Sequence, residues 1–219
     1  MRALFFSCIL ALAGNSFAQN SEFQVWTQVG AEGDLIKKVD WSASFSARFG
    51  DRGLNTFFPE FGLEYKLAKW LRPSIEYRYV ADKDEYFNYT SKHRLNFNLT
   101  LKESFDRLAV SARVRYQSAF DRLASSENFN PEFDRAFRTK FALKYDLKDN
   151  IISPAASAEL FFDPRFGATS LLSKVRIGIG ADLELDGPHG FDFKYQLDAR
   201  LDPSKGSRHA ISVAYTYKF

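Results

Sequence analysis

From Val39 to Phe49 every second residue is apolar (Val39, Trp41, Ala43, Phe45, Ala47, Phe49), and the residues between them, Asp40, Ser42, Ser44, Ser46 and Arg48, are all polar. A period of two sorts side chains onto opposite faces of a β-strand. The alternation recurs along the chain. It runs through Phe57, Phe61, Leu63 and Tyr65, through Leu71, Ile75, Tyr77 and Tyr79, and through Leu95, Phe97, Leu99 and Leu101. Leu108 to Tyr116, Phe137 to Leu147, Ile152 to Phe162, Val175 to Leu185, Phe191 to Leu201 and His209 to Phe219 repeat it. With an opening segment from Phe23 to Ala31, 11 strand-like segments are readable. Their mainly apolar phase carries no Asp, Glu, Lys or Arg.

Such a face packs inward in a soluble lipocalin-like barrel or outward against lipid in a membrane barrel. Three features favour lipid. An 11-residue strand at about 3.3 Å per residue, tilted near 45°, projects to roughly 25 Å, the height of a lipid-facing band. Phe49, Phe57, Tyr79, Tyr116, Phe137 and Phe162 fall at one set of strand ends, and Trp41, Tyr65, Trp70, Tyr145, Phe191 and Tyr217 at the other, as interfacial girdles do. The connections tend to alternate short and long, as periplasmic turns and outer loops do.

Composition modifies this picture at the N-terminus. Met1-Arg2, the apolar run Ala3 to Gly14 and the small residues Ser16 and Ala18 form a secretory signal, cleaved after Ala18, so the expected domains are a signal peptide (1–18) and a barrel (19–219). Cys8 leaves with it. No later stretch is long and apolar enough for a helical span. Mean hydropathy, −0.31, averages a charged face and an uncharged one. The net charge of +3 speaks against dedicated nucleic-acid binding.

The ending Ala214-Tyr215-Thr216-Tyr217-Lys218-Phe219 resembles the C-terminal signal of Gram-negative outer-membrane proteins. That resemblance implies recognition of Tyr215, Tyr217 and Phe219 by the barrel-assembly machinery. Phe23 to Gly30, Leu63 to Leu67, Ile75 to Tyr79, Val114 to Gln117 and Ala158 to Phe162 together resemble a family of small outer-membrane barrels known as domain of unknown function twenty-four ninety. The resemblance implies architecture and an outer-membrane location, with outer-membrane lipids and lipopolysaccharide as surroundings; that family brings no activity. The expected fold is therefore an all-β, transmembrane, antiparallel up-and-down barrel. Because bacterial single-chain barrels have even strand counts, 12 strands are expected, or 10 in the wall if the opening segment enters the lumen.

The polar phase then lines the lumen, with 14 basic and 10 acidic side chains. Glu60, Glu64, Glu76, Arg78, Arg94, Arg113, Arg115, Arg138, Lys140, Glu159, Arg176 and Asp182 are its candidate functional residues. Two readings remain open. Arg–carboxylate pairs fill and brace a narrow lumen, or a basic wall beside an open path draws small anionic solutes through a porin-like passage. A third possibility is an outer-leaflet lipid hydrolase built on His93 or His209, with Ser91 or Ser207 two residues earlier on the same face. Neither histidine has an obvious acid on its face. Asp82, Asp84 and Glu85 read as a solvated acidic loop, and His189 as a turn residue. No metal-ligand cluster or phosphate loop stands out, and no cofactor is expected.

Overall fold

The computed structural model describes residues 21–84, 86–120, 135–148, 150–163, 172–202 and 206–219. The segment read as an export signal, Glu85, and most of the connections from 121 to 134 and from 164 to 171 lie outside the described residues. Eleven strands form one closed barrel: β1 (Glu22–Ile36), β2 (Val39–Gly50), β3 (Gly53–Tyr65), β4 (Leu71–Lys83), β5 (Tyr89–Phe105), β6 (Leu108–Phe120), β7 (Ala136–Tyr145), β8 (Ile152–Phe162), β9 (Leu172–Glu184), β10 (His189–Arg200) and β11 (Ser207–Lys218). Each strand pairs antiparallel with its neighbour in sequence; the closing pair alone, β1 with β11, is parallel.

The strand count corrects the expectation of 12, and equally that of 10 wall strands with the first in the lumen. Alternating strands in odd number leave the first and last pointing the same way, so the ring can close only through a parallel ladder. Here that ladder runs unbroken from Glu22↔Arg208 to Glu32↔Lys218. The first strand is also longer than its alternation shows. It continues through Gly33 and Asp34 to Ile36, pairing with Val39–Phe49 of β2, and Lys38 takes a left-handed φ of 68° to make the tight turn.

The strand directions give the barrel two rims. The N-terminal rim carries the start of β1, the two-residue β2–β3 turn and the connections after β4, β6, β8 and β10; the C-terminal rim carries the connections after β1, β3, β5, β7 and β9, and ends at Phe219. Within the β9–β10 turn Gly187 sits at φ 93°, a conformation that costs glycine little and other residues more.

Faces follow the alternation. Large apolar side chains stand outward and exposed, among them Phe61 (49%), Val114 (52%), Phe141 (53%) and Ile179 (59%). Charged side chains point inward and are covered: Arg94 and Asp198 are each 1% exposed. This inverts the usual distribution of a water-soluble domain.

Candidate functional site

The interior of the barrel is the candidate site, and pairing register organises its charges. Arg72↔Thr100, Thr100↔Arg113, Arg113↔Lys140, Lys140↔Glu159, Glu159↔Arg176, Arg176↔Asp198, Asp198↔Arg208 and Arg208↔Glu22 are successive cross-strand partners. Together they trace a spiral of inward polar residues from the start of β4 at the C-terminal rim to the start of β1 at the N-terminal rim.

Two buried carboxylates anchor the spiral. Asp198 accepts from Arg176 Nε at 2.5 Å, Arg208 Nη2 at 2.6 Å and Lys174 Nζ at 3.3 Å. Glu159 faces Arg138 Nη2 at 2.9 Å, Arg113 Nη2 at 3.2 Å and Arg176 Nη1 at 3.9 Å. Each offers one negative charge to three cations. Near the N-terminal rim Arg200 donates to Glu22 at 2.6 Å, and the Gln24 amide donates to the same carboxylate.

A second network spans β3 to β6. Arg115 Nη2 lies 2.8 Å from both oxygens of Glu76, which also accepts from Asn96 and Asn98. Arg115 Nε donates to Asn98 Oδ1 at 2.5 Å, and Arg78 pairs with Glu60. Ionised hydrogen bonds of this kind are the stronger ones in proteins, and burial excludes the water that would screen them.

Three aromatic rings stand in the interior among these cations. Trp26 has the Arg48, Arg176 and Arg208 guanidinium carbons 4.2, 4.8 and 5.4 Å from its ring centroid, and its Nε1 donates to Gln24 Oε1 at 2.7 Å. Phe58 is covered by Arg78 at 4.2 Å, and Phe161 by Arg138 at 4.4 Å and Lys174 at 3.9 Å. Cations over ring faces are attracted by the ring quadrupole, more so when desolvated. The alternation gave these rings no role, since each sits in the polar phase beside an outward apolar residue. The doublets Val25-Trp26, Phe57-Phe58 and Phe161-Phe162 are the signal that an interior apolar residue was present.

Among the described residues these side chains crowd the half of the interior nearer the N-terminal rim, where Arg94, Asn96, Gln117 and Asp198 are almost wholly buried. The other half is lined by small residues, among them Ser42, Ser111, Ala142, Ala155 and Ser157, and holds two cavities near the C-terminal rim. One, about 330 Å³, is bordered by Glu32, Asp34, Asp40, Glu64 and Arg72; the other, about 280 Å³, by Lys140, Lys144, Asp182 and Lys194, and Lys102 borders both. At this rim Lys66 lies 2.7 Å from Asp40 and 3.1 Å from Asp34, and those two carboxylates hold its ammonium above the usual lysine range.

Of the sequence candidates, Glu76, Arg78, Arg94, Arg113, Arg115, Arg138, Glu159, Arg176 and Glu60 fall in the filled half, whereas Glu64, Lys140 and Asp182 border the cavities. Arg48, Lys174, Asp198 and Arg208 belong to the filled half as well.

The histidines lie on the outer face, each bonded through Nδ1 to a tyrosine: His93 to Tyr77 at 2.7 Å, His209 to Tyr195 at 2.5 Å and His189 to Tyr215 at 2.8 Å. In each pair the tyrosine stands one register step nearer mid-strand, so its hydroxyl reaches toward the rim. His93 is flanked by the rings of Tyr79 and Phe120. A hydrolytic base is ordinarily oriented by a carboxylate and bonded to its nucleophile; here a tyrosine hydroxyl occupies Nδ1 of His93 and of His209. His189 opens β10 rather than lying in the turn before it. Tyr217 and Phe219 share this outer face, their ring centroids 4.8 Å apart, with Phe219 5.7 Å from Trp41.

The family described as protein of unknown function (DUF2490) matches residues 23–206. No curated protein matches the chain.

Proposed function

Since the chain belongs to the DUF2490 family, whose function is unknown, we propose that it is an outer-membrane barrel sealed in its N-terminal half and open as a vestibule at its C-terminal rim. It acts as a structural, non-conducting barrel rather than a through-pore. The observation that carries this reading is the pairing of an outer face of exposed Phe, Leu, Ile and Val with an interior in which Arg94, Asn96, Gln117 and Asp198 are almost wholly buried. Apolar area of that extent is unfavourable in water and suits a lipid band, and a water-wide passage would leave those interior side chains exposed.

The reading includes a cleaved N-terminal signal and assembly through Tyr215, Tyr217 and Phe219. Outer-membrane lipids and lipopolysaccharide surround the wall. The Tyr–His pairs near both rims suit this setting, because each places its polar atoms at an interface and its ring in the apolar band.

Planar-bilayer conductance tests the seal, using protein whose gel migration shifts on heating. The expected result is background current across a range of salts. A steady open-channel current from folded protein overturns the sealed reading.

A further inference from the structure

We infer that the vestibule holds an anion-binding site centred on Lys140, suited to a small oxyanion with two negative charges, phosphate-like or dicarboxylate. The inference rests on the barrel reading above and names the ligand class of its open half.

The case begins with how Glu159 is shared. Lys140 is its direct cross-strand partner, yet Arg113, Arg138 and Arg176 are the groups that reach it, Arg113 by extending past Lys140. The Lys140 ammonium is left without a hydrogen bond or ion pair among the described residues, on a half-buried side chain that borders the 280 Å³ cavity. Lys102, bordering the same cavity, has no side-chain partner among them either. Arg113 Nε, one strand over, is buried without a hydrogen-bond partner.

Five carboxylates of the vestibule are by contrast engaged, whereas Glu103, on the border of the same cavity, and Glu32, on the border of the other, have no side-chain partner among the described residues. Asp182 has Lys144 at 3.2 Å and Lys194 at 3.7 Å, Asp192 has Lys194, Asp34 and Asp40 have Lys66, and Glu64 has Arg72 at 3.1 Å. Two amines thus remain to face one cavity beside further cations. An anion there relieves like-charge repulsion and supplies the acceptors that the protein does not. Water takes about 30 Å³ per molecule, so the cavity admits a small anion with part of its hydration shell and excludes a polymer.

Calorimetric titration of the refolded full-length mature chain at low ionic strength tests the site, with inorganic phosphate in one arm and succinate in the other. The expected result is one-site binding in at least one arm, which also separates phosphoryl from carboxylate ligands. Lys140→Gln is expected to weaken it about tenfold or more, the scale of one charged hydrogen bond. Lys102→Gln weakens it less. Lys140→Arg retains binding, and Lys37→Gln, which removes an exposed turn lysine at the same rim, leaves it unchanged.

Absence of binding in both arms, or equal affinity in Lys140→Gln and wild type, overturns the site while the barrel reading stands. Wild-type protein without heat-dependent migration overturns both.

Discussion

Asp198→Asn is expected to lower the unfolding free energy of the barrel by about 3–5 kcal/mol, the scale for breaking a buried ion pair from one side. Asp198 is 1% exposed and takes hydrogen bonds from Arg176, Arg208 and Lys174. The amide keeps the shape of the carboxylate and removes its charge, so three cations lose their shared counter-charge where water cannot replace it. Urea unfolding followed by tryptophan fluorescence reads the change, with Trp26 reporting locally because Arg176 and Arg208 lie against its ring. Lys66→Gln, at the solvated C-terminal rim, is expected to leave the midpoint nearly unchanged. A midpoint for Asp198→Asn close to wild type contradicts the account of the filled half.

The second large effect concerns the wall. Phe141 stands outward at the middle of β7, and the next residue, Ala142, points into the cavity beside Lys140 and Lys144. Phe141→Arg places a charge at the centre of the proposed lipid band and is expected to cost about 2–4 kcal/mol. Ala142→Asp adds a carboxylate among lysines and is expected to be near neutral. Folding yield into lipid vesicles, scored by heat-dependent migration, measures both. If Phe141→Arg folds as well as Ala142→Asp, the outer face does not meet lipid.

The wall was legible in the sequence because period two is a local property. Val39 to Phe49 needs no knowledge of the rest of the chain to declare its two faces. The end of β1 was not legible, since Gly33 interrupts the apolar phase and the pairing with β2 shifts register between Asp34 and Ile36 on the way to the Lys37-Lys38 turn. Closure was less legible still. The β1–β11 register joins residues 186 positions apart, and nothing local to either strand distinguishes a parallel seam from a missing twelfth partner.

For the interior, the alternation gave the inward direction of Arg94, Arg115 and Glu159 but not their partners. Which residue a carboxylate engages depends on side-chain reach across tilted strands; Arg113 takes Glu159 from Lys140 because its guanidinium is longer and branched. Trp26, Phe58 and Phe161 were hidden for another reason. A phase assigned as polar has no place for a ring, although cations packed at this density need a surface on which to stack.

The central claim, apolar side chains outward to lipid and charged ones inward, is tested most directly by single-cysteine spin-label accessibility along β7 in proteoliposomes, using the chain from Gln19 to Phe219, which contains no cysteine. The account predicts a period of two: labels at Phe137, Thr139, Phe141, Leu143 and Tyr145 are reached by oxygen dissolved in the bilayer. Those at Arg138, Lys140, Ala142 and Lys144 are not, with the last two reached by a water-soluble nickel complex through the vestibule. A profile without alternation, or one in which the nickel complex reaches Phe141 and oxygen favours Ala142, contradicts it.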